Sequence, residues 1–257
     1  GMGGFTGERW PAAKPRVRDV FLFGGSAVTP YLSRAVAPAL GDRGSTYAMQ
    51  NSGNYVMRSG QDANANQIIF DAGPKGGVHG HFDLLNFELY GGGRPLISDP
   101  GAYKYGTTAD RNYVISTKAH NTLNVDGLNT GALEGQDNPS ILVSQWDTSA
   151  NSAQITATHW GYEYLPGEPV LTRSMWYDLN GTILIVDWGE ATTGHNYQQS
   201  FNLQTEGDTN NVTVDAANFT ARTRYPYGDN LKIHGLPRTG QSAAKDALTF
   251  VPNTASG

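Results

Sequence analysis

Short apolar runs, each closed by Gly, Pro, Asn or Asp, recur from residue 54 onward. They cover 55–58, 67–70, 82–90 and 96–97 in the first half, then 141–146, 154–160, 170–178, 182–188 and 196–203. Runs of this length, rich in β-branched and aromatic residues and parted by turn signals such as Asn180-Gly181, predict strands joined by tight connections. Within 196–203, Tyr197, Phe201 and Leu203 fall on one face with mostly polar residues on the other, the pattern of a half-buried strand. Residues 182–186 (TILIV) are apolar on both faces and predict a central strand covered on both sides. No helical period intervenes, so the expected fold class is all-β, a large antiparallel β-sandwich rather than an α/β fold.

The region before these runs reads differently. Residues 1–50 are rich in Pro, Gly and Ala, with one short helix expected around 30–39, and are expected to form a linker or wrapping segment ahead of a sandwich domain over 51–257. Residues 16–28 have a basic start, but their apolar stretch falls short of the roughly 7–15 residues of a signal-peptide core. A buried strand or linker is the expectation there. The Gly1-Met2 start reads as a tag remnant, and the chain as an excised domain, a proteolytic remnant or a natural short form.

Composition narrows the function. With 32 Gly and only 16% charged residues, the chain does not have the makeup of a coiled coil or long-helix protein. A net charge of -5 without any Lys/Arg run gives no footprint for nucleic acid. No stretch reaches the roughly 18 consecutive apolar residues of a membrane helix, so no membrane partner is expected. The absence of Cys removes thiolate chemistry and suits an oxidising compartment, so a periplasmic or secreted location is expected.

Without Cys, a transition-metal site must be built from His and carboxylates. His79-Gly80-His81 would place two imidazoles on one side of an extended chain. Asp99, in Ser98-Asp99-Pro100-Gly101, suits a turn as well as a ligand. His120, in Ala119-His120-Asn121-Thr122, suits a buried core position equally well. Spacing alone does not connect the three.

Taken in order, however, a series of segments resembles the C-terminal β domain of the heparinase II/III-like polysaccharide lyases, a family that includes alginate and oligoalginate lyases. These are FDAGP from Phe70, HGHFD from His79, LNFELY from Leu85, GRPLISDPG from Gly93, YKYG from Tyr103, RNY from Arg111, STKAHNT from Ser116 and VDG from Val125. The resemblance implies a β-supersandwich carrying a divalent metal, usually zinc, in a structural or site-organising role. Its implied ligands are His81, Asp99 and His120, with water in the fourth position, which is reasonable zinc chemistry. Asp83 and Glu88 are candidates to orient the imidazoles from behind.

The implied reaction is β-elimination on an acidic, uronic-acid-containing polysaccharide such as a glycosaminoglycan or alginate. The proton beside the uronate carboxylate is barely acidic, so the carboxylate charge must be neutralised while a base and an acid act within hydrogen-bond reach. By resemblance, His79 is a base or charge stabiliser in the cleft. A site tyrosine lies between Asp99 and His120, with Tyr105 and Tyr113 ranked ahead of Tyr103. Arg111 is a candidate to grip the substrate carboxylate bidentately, and Asn121 either meets substrate or caps a turn beside the ligand.

In the family a helical α/α toroid precedes the β domain and supplies an Asn-His pair and the principal tyrosine. No such helical region is read in this sequence, and the toroid is the expected partner. His159, His195 and His234 carry packing or surface roles by default. A non-catalytic carbohydrate-binding or scaffold sandwich stands as the alternative to the lyase. A zinc hydrolase lacks an H-E-x-x-H helix or any comparable motif.

Overall fold

The computed structural model describes residues 46–60, 64–75, 80–102, 106–131 and 141–236. Period-two alternation builds its first sheet. β1 (Tyr47–Met49), β2 (Asn54–Arg58), β3 (Gln67–Asp71), β4 (Phe87–Gly91) and β5 (Arg94–Ile97) pair antiparallel in chain order. Tyr55 and Met57, Ile68 and Phe70, and Phe87 and Leu89 alternate inward and are buried. The first strand of this sheet starts at Tyr47.

After β6 (Leu123–Val125), the second sheet is a meander of β7 (Ile141–Thr148), β8 (Ala153–His159), β9 (Val170–Tyr177) and β10 (Ile183–Glu190), in spatial order β10-β9-β8-β7. Its inward residues Ala153, Ile155, Ala157, Met175 and Tyr177 join those of the first sheet in one apolar core. Removing a large apolar side chain from water contributes roughly 1.5–3 kcal/mol, so this shared core holds the two sheets face to face. A two-stranded pair joins β6 to β11 (Tyr197–Gln199). A three-stranded sheet follows, of β12 (Val212–Asp215), β13 (Thr220–Thr223) and β14 (Lys232–His234). The one α-helix among the described residues, α1 (Ala109–Val114), is capped by the Thr108 hydroxyl, which accepts from the Arg111 amide at 3.2 Å.

Three sequence expectations need correction. The run 82–90 is a strand only from Phe87; residues 82–86 turn instead, with Leu85 at φ 58 and the Asn86 amide donating to the Asp83 carbonyl at 2.9 Å. The run 182–188 is an edge strand rather than a central one. Its inner residues Ile183 and Ile185 pack on the core, while Leu184 and Val186 are 46% and 42% exposed beside Trp176. The run 196–203 is a strand over only three residues; beyond it the chain crosses to the first sheet, where Leu203 bridges Ile97. The helix expected around 30–39 lies outside the described residues.

Candidate metal centre

The loop 80–86 is fixed at nearly every residue. Its Phe82 amide donates to the Ile115 carbonyl at 2.9 Å, and the Thr122 hydroxyl donates to the Leu84 carbonyl at 2.7 Å. Arg173 reaches from β9 to donate to the Leu85 carbonyl at 2.8 Å, and Leu84 and Leu85 are both buried. Phe82 carries the Lys75 ammonium 4.0 Å from its ring centroid. His81 and Asp83, on either side of Phe82, contribute to one polar cluster.

Asp99 enters the cluster from the turn after β5. Its Oδ1 accepts from the Gly101 amide at 2.7 Å, an Asx turn that needs the left-handed Gly101 (φ 74). Asn86 Nδ2 donates to Asp99 Oδ2 at 3.4 Å. His120 follows the 3-10 turn Thr117–Ala119 and is fully buried. Its Nδ1 lies 2.7 Å from the Ser116 carbonyl, which can only accept, so Nδ1 carries the proton. Nε2 then turns its lone pair inward, 3.1 Å from His81 Nδ1 and 3.3 Å from Asp99 Oδ2.

One ligand atom from each of His81, Asp83, Asp99 and His120 lies within 4.8 Å of the others. Ligands about 2.0–2.1 Å from a tetrahedral zinc stand about 3.3 Å apart, close to the two shortest separations here. Two imidazoles and carboxylate oxygen also match the borderline character of zinc. These residues therefore fit such an ion.

Electrostatics around the cluster follow burial and charge. His81 is held below the usual imidazole range, first by burial and then by His120, against the pull of Asp99 and Asp83. Neutral His81 is the ligating form. Burial pushes the Asp71 carboxyl up to about 7; the charges of Asp83 and Asp99 add to this, and the Gly73 amide opposes it. Glu88 is raised by desolvation and then by Asp99.

Beneath the cluster lies a frame of polar side chains. Arg173 and Asp187 form a buried bidentate pair at 2.7 Å on both arms, and Gln199 donates to Asp187 Oδ2 at 2.7 Å. Arg173 Nη1 also donates to the Asn121 carbonyl at 2.5 Å. Asn121 Nδ2 donates to the Phe87 and Ser98 carbonyls at 2.9 and 3.1 Å, and its Oδ1 accepts from the Asn202 amide at 2.6 Å. With no exposure and both ends of its amide engaged, Asn121 ties the His120 segment to both sheets. Asn86, absent from the sequence expectations, links Asp99 to the Asn121 amide, which donates to its Oδ1 at 2.8 Å. Nothing in the sequence marks Asn86 off from a turn asparagine. Arg173 and Asp187 do leave a signal, as charged residues at inward positions of apolar strands.

Arg111 is nearly buried on α1; its Nη1 donates to the Ala102 carbonyl and lies 3.5 Å from His81 Nε2. Tyr113, on the same helix, is 40% exposed. His79, Tyr103 and Tyr105 lie outside the described residues. The other histidines stand apart. Buried His159 accepts from the Gly161 amide at 3.0 Å and is held down to about 3, chiefly by burial. His195 pairs with Asp126 at 2.6 Å, and His234 ends β14.

The sequence model of the family described as "Heparinase II/III-like, C-terminal" matches residues 42–249. A heparin-sulfate lyase of Pedobacter heparinus is 30% identical over 214 residues, 80% of this chain and 30% of that protein. A heparin-sulfate lyase of Bacteroides stercoris is 25% identical over 199 residues, 76% of this chain and 28% of its own length. The crystal structure of heparan sulfate lyase HepC from Pedobacter heparinus superposes with a TM-score of 0.68 at 25% identity, covering 84% of this chain and 32% of that one. The chain thus spans about 30% of the length of the curated relatives it matches.

Proposed function

This chain belongs to the heparinase II/III-like C-terminal domain family, and on that premise we propose that it is the metal-bearing β-sandwich of a polysaccharide lyase. The substrate is an acidic polymer containing uronic acid, of the glycosaminoglycan or alginate type, and the bond is broken by β-elimination. The observation that carries this reading is the convergence of His81, Asp83, Asp99 and His120 from three separate stretches of chain. When bound, a zinc ion would supply a positive charge that ties the loops around the cleft together.

The rest of the chemistry falls to side chains. The proton leaves the carbon beside the uronate carboxylate, and the glycosidic oxygen departs from the neighbouring carbon. His79, two residues before His81, takes that proton or stabilises the charge it leaves. Tyr105 or Tyr113 protonates the departing oxygen, since a phenol suits an alkoxide leaving group. Arg111, whose Nη1 stands 3.5 Å from His81 Nε2 at the edge of the cluster, supports the substrate carboxylate. The opposite wall of the cleft belongs to a helical partner domain, and the protein works in the periplasm or outside the cell.

The test uses the full-length protein that carries this domain. Ultraviolet absorbance of unsaturated uronate ends is followed against a panel of glycosaminoglycans and alginates, with wild type beside His79→Ala. An absorbance rise on one polymer, lost in the variant, is the expected result. Zinc in the protein with no product on any polymer would instead favour the non-catalytic scaffold, because a metal-stapled loop set needs no elimination chemistry.

A further inference from the structure

The family resemblance implies three protein ligands and a water. We propose that the Asp83 carboxylate is a fourth protein ligand, which closes the coordination shell and leaves the ion no exchangeable water. The inference rests on the metal-bearing reading above and deepens it: the ion is a staple and takes no direct part in elimination.

Three observations carry it. The Asp83 ligand atom lies within 4.8 Å of those of His81, Asp99 and His120, as a member of the cluster itself. The outward nitrogen of His120, Nδ1, already donates to the Ser116 carbonyl. Asp83 is therefore not left to orient the His120 ring from behind. Finally, among the described residues no donor reaches the Asp83 carboxylate, although the residue is only partly exposed and a second carboxylate, Asp99, shares its cluster.

Placement of Asp83 is not accidental to a floppy loop. The Phe82 amide is bound to the Ile115 carbonyl, the Leu84 carbonyl to Thr122, and the Asp83 carbonyl to the Asn86 amide, so the backbone is fixed on both sides of the side chain. Two carboxylates and two imidazoles held together, with no protein donor on Asp83, offer lone pairs that a cation among them would engage. Two nitrogens and two oxygens complete a tetrahedral zinc shell, the arrangement of a closed structural site.

The test loads this chain with Zn²⁺ and, separately, with Co²⁺, whose visible spectrum reports ligand number, and titrates azide into the cobalt form. Wild type is expected to bind the metal and to show a tetrahedral cobalt spectrum that azide leaves unchanged. Asp83→Ala is expected to hold metal at least about tenfold more weakly and to gain an azide-dependent spectral change, because a solvent position has opened. An azide-sensitive wild-type spectrum overturns the role of Asp83 while leaving the metal centre intact, and it needs no variant to fold. Identical cobalt spectra for wild type and Asp83→Ala overturn it as well. Failure of wild type to bind either ion overturns the metal centre and this inference together.

Discussion

His120 donates through Nδ1 to the Ser116 carbonyl at 2.7 Å, from a ring with no solvent exposure. That single bond sets the tautomer of a buried imidazole and turns the Nε2 lone pair toward His81 and Asp99. His120→Ala is expected to abolish metal retention through dialysis, whereas Tyr113→Phe, on the exposed face of α1, is expected to leave it intact. Elemental analysis of both variants checks this, and a His120→Ala protein that keeps its metal would remove His120 from the ligand set.

The Arg173–Asp187 pair joins β9 to β10, and Arg173 also holds the Leu85 and Asn121 carbonyls. Arg173→Met leaves a buried carboxylate without its partner and two carbonyls without their donor. The expected loss is about 3–5 kcal/mol, read as a lower denaturation midpoint in urea. Arg173→Lys recovers only part of it, because an ammonium cannot match the two-pronged geometry. A loss near zero for Arg173→Met would mean that the pair is not what holds the two loops.

His195 has an acceptor at each ring nitrogen, Asp126 Oδ2 at 2.6 Å and the Pro166 carbonyl at 2.8 Å, so its charged form is favoured. The hydrogen bond to Asp126 raises its pKa above the usual value, with the Pro166 carbonyl adding to the effect. The stabilisation is fully present below the ordinary imidazole value of about 6.5 and is lost as pH rises through the higher folded value. Asp126 behaves in the opposite sense. Held low first by the Asn196 amide and then by His195, it keeps its contribution until pH falls through its depressed value. Melting temperature against pH should therefore separate wild type from His195→Gln most strongly in mildly acid solution and bring the two together in alkali. A separation independent of pH would contradict the pairing.

Leu184 and Val186 lie on the outer face of an edge strand, and Ile185 between them lies in the core. Val186→Lys is expected to change stability by no more than about 0.5 kcal/mol and to raise solubility. Ile185→Ala is expected to cost about 2–5 kcal/mol. Equal costs at the two positions, measured by chemical denaturation, would restore the covered central strand that the sequence suggested.

Strand content was legible because period-two burial is local, as in β8, where Ala153, Ile155, Ala157 and His159 all point inward. Coverage was not. Whether TILIV sits in the middle of a sheet depends on which strands flank it, and that is decided by distant chain. The turn at 82–86 reads as strand because Leu84, Leu85 and Phe87 are apolar, yet Leu84 and Leu85 serve as plugs that anchor the ligand loop. The ligands themselves could not be joined by spacing, since His81 and His120 are 39 residues apart, and only the family resemblance linked them. Asp83 was visible as a neighbour of His81, but its direction depends on hydrogen bonds to Ile115, Thr122 and Asn86 that no local pattern encodes.

Arg173 follows Leu85 by 88 residues and Asn121 by 52. At roughly 5–20 residues per second of synthesis, the ribosome releases both histidine segments several seconds before it makes the side chain that holds them in place. During that interval the nascent chain carries imidazoles and carboxylates with no frame around them. The frame around the two histidine segments is therefore complete only once β9 has been made and has docked, so the cluster is among the last features of the sandwich to be assembled.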